Sequence, residues 1–279
     1  MLSAFPRGHS GIDYNQPVGD AGLFGPDSVT WRVHADFAGM LAGGLCALML
    51  QTLHPLALAG VWDHSNFRVD LVGRLRRTTN FVAATTYASR EQATAMIDRV
   101  KRIHAHVRGT AADGRPYSAD DPALLTWVHV TEAYGFLEGF RRYGPGLHAG
   151  DADRYYDEVR RVAEALGATH VPASEAAINA YFERVRHELR FDARSRDVLA
   201  VLAGIRLPVP MPGVSRDLFL GAGAALLPTF ASTLIGESRL RHARHRVAAA
   251  TLRSLAPLFR AALTDGVAEH ARRRAAGIA

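Results

Sequence analysis

The feature that most constrains the fold is a stretch without Asp, Glu, Lys or Arg, FAGMLAGGLCALMLQTLHPLALAGV, which runs from Phe37 to Val61. A membrane-spanning helix needs about 20 predominantly apolar residues. The uninterrupted apolar part ends at Leu50, and polar side chains and Pro55 follow it. That length is typical of a buried core helix. We therefore expect a central helix packed inside a folded domain rather than a transmembrane span.

Helical periodicity continues along most of the chain. Segments such as DADRYYDEVRRVAEALG and PASEAAINAYFERVRHELR carry apolar residues at intervals of three and four. No alternating strand pattern bounded by hairpin turns is present, and no internal repeat of about 20–50 residues is found. The sequence predicts an all-α fold of about nine or ten helices. Residues 1–24 are expected to form an irregular N-terminal arm, and residues 25–279 a single domain.

Capping residues and helix breakers set the expected helix boundaries in the first part of the chain. Asp27 or Ser28 is predicted to cap a helix that ends or kinks near Pro55, where the ring blocks continuation. The segment SREQATAMIDRVKRIHAHVRG is predicted to be one helix, capped by Ser89 and closed by Gly109.

The later boundaries follow in the same way. Asp121 caps a helix whose first turn contains Pro122, a favoured position for proline. LPVPMPG, from Leu207 to Gly213, is the clearest linker, and two further helices are expected after it.

The charge of the chain raises the question of a nucleic-acid partner. The formal net charge is +6 and the pI about 9.9. Lys101 is the only lysine, so the basic residues are almost all arginine, and they are spread along the whole chain. Together with abundant alanine, this pattern is typical of GC-rich coding sequence. We therefore expect no nucleic-acid partner.

The single cysteine excludes several site classes. Cys46 alone provides no disulfide framework, no CxxC redox pair, no cysteine-rich zinc site and no covalent attachment of a c-type haem. Because it lies inside the apolar run, we expect a buried and inert thiol. The N-terminal residues show no apolar core of a secretory signal. These features lead us to expect a cytoplasmic protein.

Common catalytic motifs are also missing. The sequence contains no GxxxxGK[ST] phosphate loop, no HExxH and no GxSxG elbow. No strand precedes a glycine-rich segment, which argues against a dinucleotide fold, and no ExxH pair supports a di-iron bundle. Histidine and arginine remain as the candidate functional residues.

VKRIHAHVRG contains the most informative histidine. On a regular helix His104 and Arg108, four residues apart, share a face, whereas His106 is rotated by about 200° from His104. The two histidines therefore cannot bind one metal ion. His104 lies on the more apolar face with Met96 and Val100, so we expect it to be the buried one. The pattern alone favours a buried imidazole bonded to a backbone carbonyl over a metal ligand.

A second candidate cluster lies in GRLRRTTNF. Arg74, Arg77 and Thr78 are three and four residues apart and share one helical face, whereas Arg76 points elsewhere. The pattern alone favours a solvated basic edge. The alternative is a polar pocket that binds an anion or orients a small ligand, since guanidinium groups offer several fixed donors.

Other histidines have simpler expected roles. His129 lies in an apolar, aromatic run and is expected to be buried. His54 precedes Pro55 at a helix end, where capping of a carbonyl is the simplest role. His242 and His245 could bind a metal ion, although the surrounding arginines favour a solvated surface.

Four segments in order carry a family resemblance: LQTLHPLALAGVWDHS, GRLRRTTNFV, VKRIHAHVRG and DPALLTWVHVTEAYGF. Together they resemble the MpaB / rubber-oxygenase (latex-clearing protein) family over residues 25–250. The resemblance implies an all-α fold with a globin-like core around a non-covalent b-type haem. An apolar slot, an axial histidine and nearby cations are what such a cofactor requires.

The resemblance also implies roles for individual residues. His104 matches the proximal iron ligand, and Arg108 the arginine that follows one turn later. Arg74, Arg77 and Thr78 match the distal R-x-x-K-T pattern, with Arg77 in place of the lysine, a departure that argues against cleavage of a rubber-like polymer. His129 resembles a further histidine of the family, and His54 lies in the first matching segment.

The leading hypothesis is therefore a haem b-dependent oxygenase or oxidase that acts on a small apolar or natural-product-like substrate with dioxygen. The alternative is a haem-binding sensor or carrier without catalysis. The sequence leaves the oligomeric state open between a monomer and a homodimer.

Overall fold

The computed structural model describes residues 11–205 and 212–278. These residues form thirteen α-helices, one short 3-10 helix and one two-stranded hairpin. The helices are α1 (Val29–His34), α2 (Phe37–Gln51), α3 (Pro55–His64), α4 (Leu71–Tyr87), α5 (Arg90–His104), α6 (Pro122–Tyr143), α7 (Asp151–Leu166), α8 (Glu175–Val185), α9 (Ala193–Ala203), α10 (Pro212–Ala224), α11 (Thr229–Ile235), α12 (Arg239–Ala262) and α13 (Val267–Ala275). The strands are β1 (Arg108–Thr110) and β2 (Pro116–Ser118), and the 3-10 helix is Arg186–Glu188.

The expected all-α class is confirmed, but the predicted number of nine or ten helices is too low. The main reason is that short connections split predicted helices. Asp36 accepts a hydrogen bond from the Gly39 amide at 2.7 Å and so starts α2, two residues after α1 has ended. Ser28 caps α1, as predicted, and Ser89 and Asp121 cap α5 and α6.

The core is built on the pair formed by α2 and α6. The apolar run is buried as expected, with Leu45, Cys46 and Leu50 almost inaccessible to solvent, and burial raises the pKa of the Cys46 thiol. The two helices run antiparallel and cross at glycines: Gly43 faces Gly135, and Gly39 faces Gly139. This close crossing positions the neighbouring face of α6, which carries the candidate site.

The prediction that α5 extends to Gly109 is wrong. The helix ends at His104, and the chain turns into β1, whose Gly109 pairs with Tyr117 of β2. A Cβ at Gly109 would lie 2.6 Å from the Tyr117 hydroxyl, so a glycine is needed for this close pairing. His104 and Arg108 therefore do not share a helical face, although His104 is half-buried and His106 exposed, as expected.

The C-terminal part contains more helices than the two predicted. Four helices follow residue 211, because Pro228 and Ser238 start new helices within the predicted segments. The linker predicted from Leu207 to Gly213 lies largely outside the described residues. In the described part of the chain, no single helix is long and apolar enough to cross a membrane. Two helix pairs, each sharply bent at a short break, reach the required length and hydropathy when their helices are taken together.

The N-terminal residues 11–27 contain turns and no helix, and they pack against α13. The buried Arg274 of α13 donates hydrogen bonds to the carbonyl oxygens of Asp20 (2.9 Å) and Tyr14 (3.1 Å). The two ends of the described chain are therefore held together next to α4, which α13 contacts.

Candidate functional site

A small cavity lies between α1, α4, α6 and α7, beside the α2–α6 core. Its volume is about 50 Å³, which is room for a few water molecules. Most lining groups are apolar or aromatic, but four titratable side chains also face it, His34, His129, Glu132 and Tyr155. The lining residues are Phe24, His34, Phe81, Val82, Thr85, Thr86, His129, Glu132, Ala133, Phe136, Tyr155, Val159 and Val162.

His34, at the end of α1, is fixed in one tautomer by its neighbours. Its Nδ1 lies 2.8 Å from Thr86 Oγ1, and its Nε2 lies 3.0 Å from the Tyr155 hydroxyl. The Thr86 hydroxyl donates its only proton to the Val82 carbonyl, so it must accept from Nδ1–H. Nε2 then accepts from Tyr155. Burial, with a smaller contribution from His129, lowers the pKa of His34 to about 3, so the ring is neutral.

His129 faces the same cavity from α6 and differs from His34 in its bonding. Neither of its ring nitrogens has a hydrogen-bond partner among residues 11–205 and 212–278. Burial lowers the pKa of His129 to about 4, so the ring is neutral and keeps a free lone pair. It can accept a hydrogen bond or bind a metal ion, which His34 can do only if Tyr155 moves away.

Glu132 lies three residues after His129 and on the same side of α6. Burial raises its pKa to about 7, although a hydrogen bond from Gln51 opposes the shift. A carboxyl group with this pKa can both hold and release a proton near neutral pH. Between about pH 4 and about pH 7 the titratable groups of the cavity are all uncharged, which suits an apolar ligand.

Arg74 and Thr78 lie on the face of α4 that also lines the cavity. They precede Phe81 by seven and three residues, spacings that place all three on one side of the helix. The half-buried Arg74 guanidinium has no ion-pair or hydrogen-bond partner among the described residues. Thr78 donates to the Arg74 carbonyl at 3.4 Å, and the exposed Arg77 pairs with Asp70 at 3.6 Å.

His104 and Arg108 lie apart from this cavity. His104 ends α5, and burial lowers its pKa, opposed by the nearby Asp120 carboxylate. Its ring nitrogens have no hydrogen-bond partner in the described parts of the chain. Arg108 is exposed in β1; its guanidinium donates to the Ala105 carbonyl, and its own carbonyl lies 3.2 Å from His64 Nε2. Arg108 therefore holds the turn that directly follows His104.

His54 is buried, but the prediction that it caps a backbone carbonyl is wrong. Its Nδ1 accepts from the Ala57 amide at 3.4 Å, so it caps the start of α3 and not a carbonyl at a helix end. Its ring packs on Trp127 at 5.7 Å and lies 3.6 Å from Glu188. Burial lowers the pKa of His54. A structural role explains these contacts.

His242 and His245 both face one carboxylate. Glu237 lies 3.2 Å from His245 Nδ1 and 3.5 Å from His242 Nδ1. His245 is half-buried, whereas the surrounding arginines are exposed. Over the described ranges, no group of three or more His, Cys, Asp or Glu side chains is arranged to hold a metal ion.

The sequence prediction missed three of the four titratable groups of the cavity, His34, Glu132 and Tyr155. Glu132 could have been found, because its spacing of three from His129 places both on one helical face. His34 gave no local signal: its partners Thr86 and Tyr155 are 52 and 121 residues away along the chain.

The donor groups fit a haem iron, whereas the volume of the cavity does not fit the whole cofactor. His104 and His129 each offer an unbonded, neutral imidazole, the axial ligand of globins and peroxidases. The cavity beside His129 is much smaller than pockets for larger ligands, which measure about 300–1,000 Å³. A macrocycle beside His129 would therefore require α4 to move away from α6.

Replacement of Glu132 by glutamine is expected to change how stability depends on pH. In the wild type, the raised pKa stabilises the folded state at low pH, and this contribution is lost as the pH rises from about 4.5 to about 7. The loss amounts to about 3 kcal/mol. Glu132→Gln should remain neutral and be more stable than the wild type above this range, by up to that amount.

Urea unfolding of both proteins, below and above this pH range, measures the difference. Contributions from His34 and His129 cancel between the two proteins. If the free energy of unfolding falls equally in both proteins over this pH range, ionisation of Glu132 does not destabilise the folded state, which would contradict the prediction.

Comparison with known proteins places the chain in a family. Residues 31–261 match the family model described as "ER-bound oxygenase mpaB/B'/Rubber oxygenase, catalytic domain". No curated protein and no solved structure matches the chain. Because the matched region covers most of the sequence, the chain belongs to the mpaB/rubber oxygenase family and contains its oxygenase catalytic domain.

Proposed function

We propose that the chain is a haem b-dependent oxygenase or oxidase that acts on a small apolar or natural-product-like substrate. Family membership supports the oxygenase class. The observation that carries the substrate class is the cavity itself, whose walls are largely apolar and whose titratable groups are uncharged between about pH 4 and about pH 7.

His104 is the proposed iron ligand. Its lowered pKa keeps the imidazole unprotonated, and no described residue occupies its nitrogens. The cofactor, when bound, would supply the redox chemistry that activates dioxygen. Arg108 is a positioning residue in this proposal, because its guanidinium holds the Ala105 carbonyl and so fixes the end of α5.

Arg74 is the proposed main donor on the distal side. Arg77 is engaged with Asp70, and the Thr78 hydroxyl proton is directed to the Arg74 carbonyl. Of these three residues, only Arg74 has a side chain with no ion-pair or hydrogen-bond partner among the described residues. A free guanidinium can stabilise negative charge that develops on an oxygen atom.

His129 and Glu132 are proposed to orient the polar end of the substrate. Neutral His129 can accept a hydrogen bond from a hydroxyl group, and protonated Glu132 can donate one to a carbonyl. The small volume of the cavity limits the group that enters it to a few heavy atoms.

Dioxygen uptake by the haem-loaded protein, measured with a panel of apolar substrates, tests the oxygenase proposal. Arg74→Ala is expected to lower the turnover number by about 100-fold, the usual loss when one charge-stabilising donor is removed. Arg76→Ala is the matched control, because Arg76 is exposed and lies on another side of α4. The same loss in both variants would contradict the role of Arg74.

A haem-binding sensor or carrier is the second candidate. The small cavity favours it, because a diatomic gas fits where a larger substrate does not. This candidate predicts that Arg74→Ala alters gas affinity in a protein that shows no turnover with any substrate of the panel.

A further inference from the structure

The outward face of α12 carries a line of exposed apolar residues. Leu240, Val247 and Leu258 are 65%, 67% and 65% exposed. They are seven and eleven residues apart, so on a helix they lie within about 20° of one another. The opposite face, with Ala249, Leu252 and Ala256, is buried in the core. We call the exposed line the apolar stripe.

Arginines lie on both sides of the apolar stripe. Arg239, Arg246 and Arg253 recur every seven residues on one side, and Arg241 and Arg244 lie on the other. The helix contains no Asp or Glu. None of these five arginines forms an ion pair with the described part of the chain, in contrast to Arg260, which pairs with Asp36 at 2.8 Å. The face therefore combines uncompensated positive charge with exposed apolar surface.

A cleft of about 280 Å³ opens beside this face, where α11 meets α12. Arg239, Arg246 and His242 line it from α12, and the hydroxyl-bearing Ser232 and Thr233 from α11. Glu237 also contributes to the lining, but its side chain is only 6% exposed and lies against His242 and His245. The Ser232 hydroxyl donates to the Thr229 carbonyl at 3.0 Å, so Arg239, Arg246 and Thr233 supply the donors suited to a phosphate group.

We propose that α12 docks the protein on the surface of an anionic phospholipid bilayer. The apolar stripe enters the boundary between headgroups and acyl chains, the flanking arginines reach lipid phosphates, and the cleft receives one headgroup. An apolar strip edged by arginines is the usual pattern of a helix that lies in the membrane interface. This proposal does not depend on the haem.

Two other occupants explain the observations less well. A second copy of the chain would bring equal positive faces together, which is unfavourable without acidic partners. A nucleic acid would satisfy the arginines but leave the apolar stripe without a role, because phosphate contacts dominate that kind of binding.

Sedimentation with lipid vesicles tests the proposal on the full-length protein. We expect the protein to bind vesicles of phosphatidylcholine that contain a minority of phosphatidylserine. We expect it to bind vesicles of phosphatidylcholine alone only weakly. Arg239→Gln with Arg246→Gln should lower the affinity by about 25-fold, since each arginine near an anionic surface contributes about fivefold. Val247→Asp should also weaken binding, although it leaves the arginines intact.

Arg99→Gln with Arg161→Gln is the matched control, because it removes the same charge from exposed positions on α5 and α7. This control should bind nearly as the wild type does. Equal losses in the two double variants, or unchanged binding of Val247→Asp, would overturn the proposal. So would binding to duplex DNA, but not to anionic vesicles, or saturation of the cleft by inorganic phosphate without any vesicle binding.

Discussion

Gly43→Ala is expected to destabilise the protein by about 3 kcal/mol or more, because it forces apart the central pair of helices. A Cβ at this position would lie 2.7 Å from the carbonyl carbon of Gly135 and closer still to its oxygen. Both partners are backbone atoms of a buried helix, so neither can move aside alone. Either α2 and α6 separate along their length, or the core does not form.

Thermal unfolding followed by circular dichroism measures this effect, with Gly44→Ala as the matched control. Gly44 is the next residue of the same helix, and a Cβ there meets only the Phe136 ring, at 3.5 Å, an ordinary contact. We expect Gly44→Ala to keep the wild-type melting temperature or raise it slightly, because alanine favours helix. Similar melting temperatures for the two variants would contradict the close α2–α6 crossing.

Glu158→Ala is expected to cost about 3–5 kcal/mol of stability, the usual effect of breaking a buried charged network. The Glu158 side chain accepts from the amide (2.9 Å) and hydroxyl (2.8 Å) of Thr30, from the Val29 amide at 3.3 Å, and from Arg154 at 2.8 Å. The carboxylate is only 6% exposed, so its removal leaves buried donors without a partner. Because these donors begin α1, the change should also displace His34 from the cavity.

Urea unfolding tests this expectation against Glu164→Ala. Glu164 lies on the same helix, α7, but is exposed, and among the described residues its side chain bonds only Arg160, at 2.7 Å. A surface pair of this kind contributes about 0–1 kcal/mol. Comparable losses in the two variants would show that Glu158 does not hold α1.

The predicted helix starts are confirmed where a capping residue and apolar periodicity agree within one segment. Ser89 and Asp121 start the helices expected of them. The break between α1 and α2 was missed because one helix was predicted from Asp27 or Ser28 to Pro55, whereas Asp36, directly before the apolar run, caps a new helix. The close α2–α6 crossing did leave a signal, since each helix carries two glycines four residues apart. Which helices such glycines bring together depends on packing between distant parts of the chain.

The candidate site was also predicted only in part from the sequence. His104 is more buried than His106, as predicted, although the helix from which this was argued ends at His104. The apolar surroundings of His129 correctly indicated that it is partly buried. The end of α5 was misplaced because Gly109 serves a strand pairing with Tyr117, not a helix stop. The cavity could not be predicted, because its walls come from four helices and its tautomer-fixing contacts join residues far apart in sequence.

The absorption spectrum of the protein expressed with haem precursor tests the central claim most directly. We predict a Soret band in the wild type that collapses in His104→Ala and persists in His106→Ala. His106 is the matched control, because it is exposed and its ring lies 2.7 Å from the Arg102 carbonyl. A band lost in His129→Ala but retained in His104→Ala would contradict His104 as the iron ligand. The absence of any Soret band in the wild type would contradict the haem-dependent function itself.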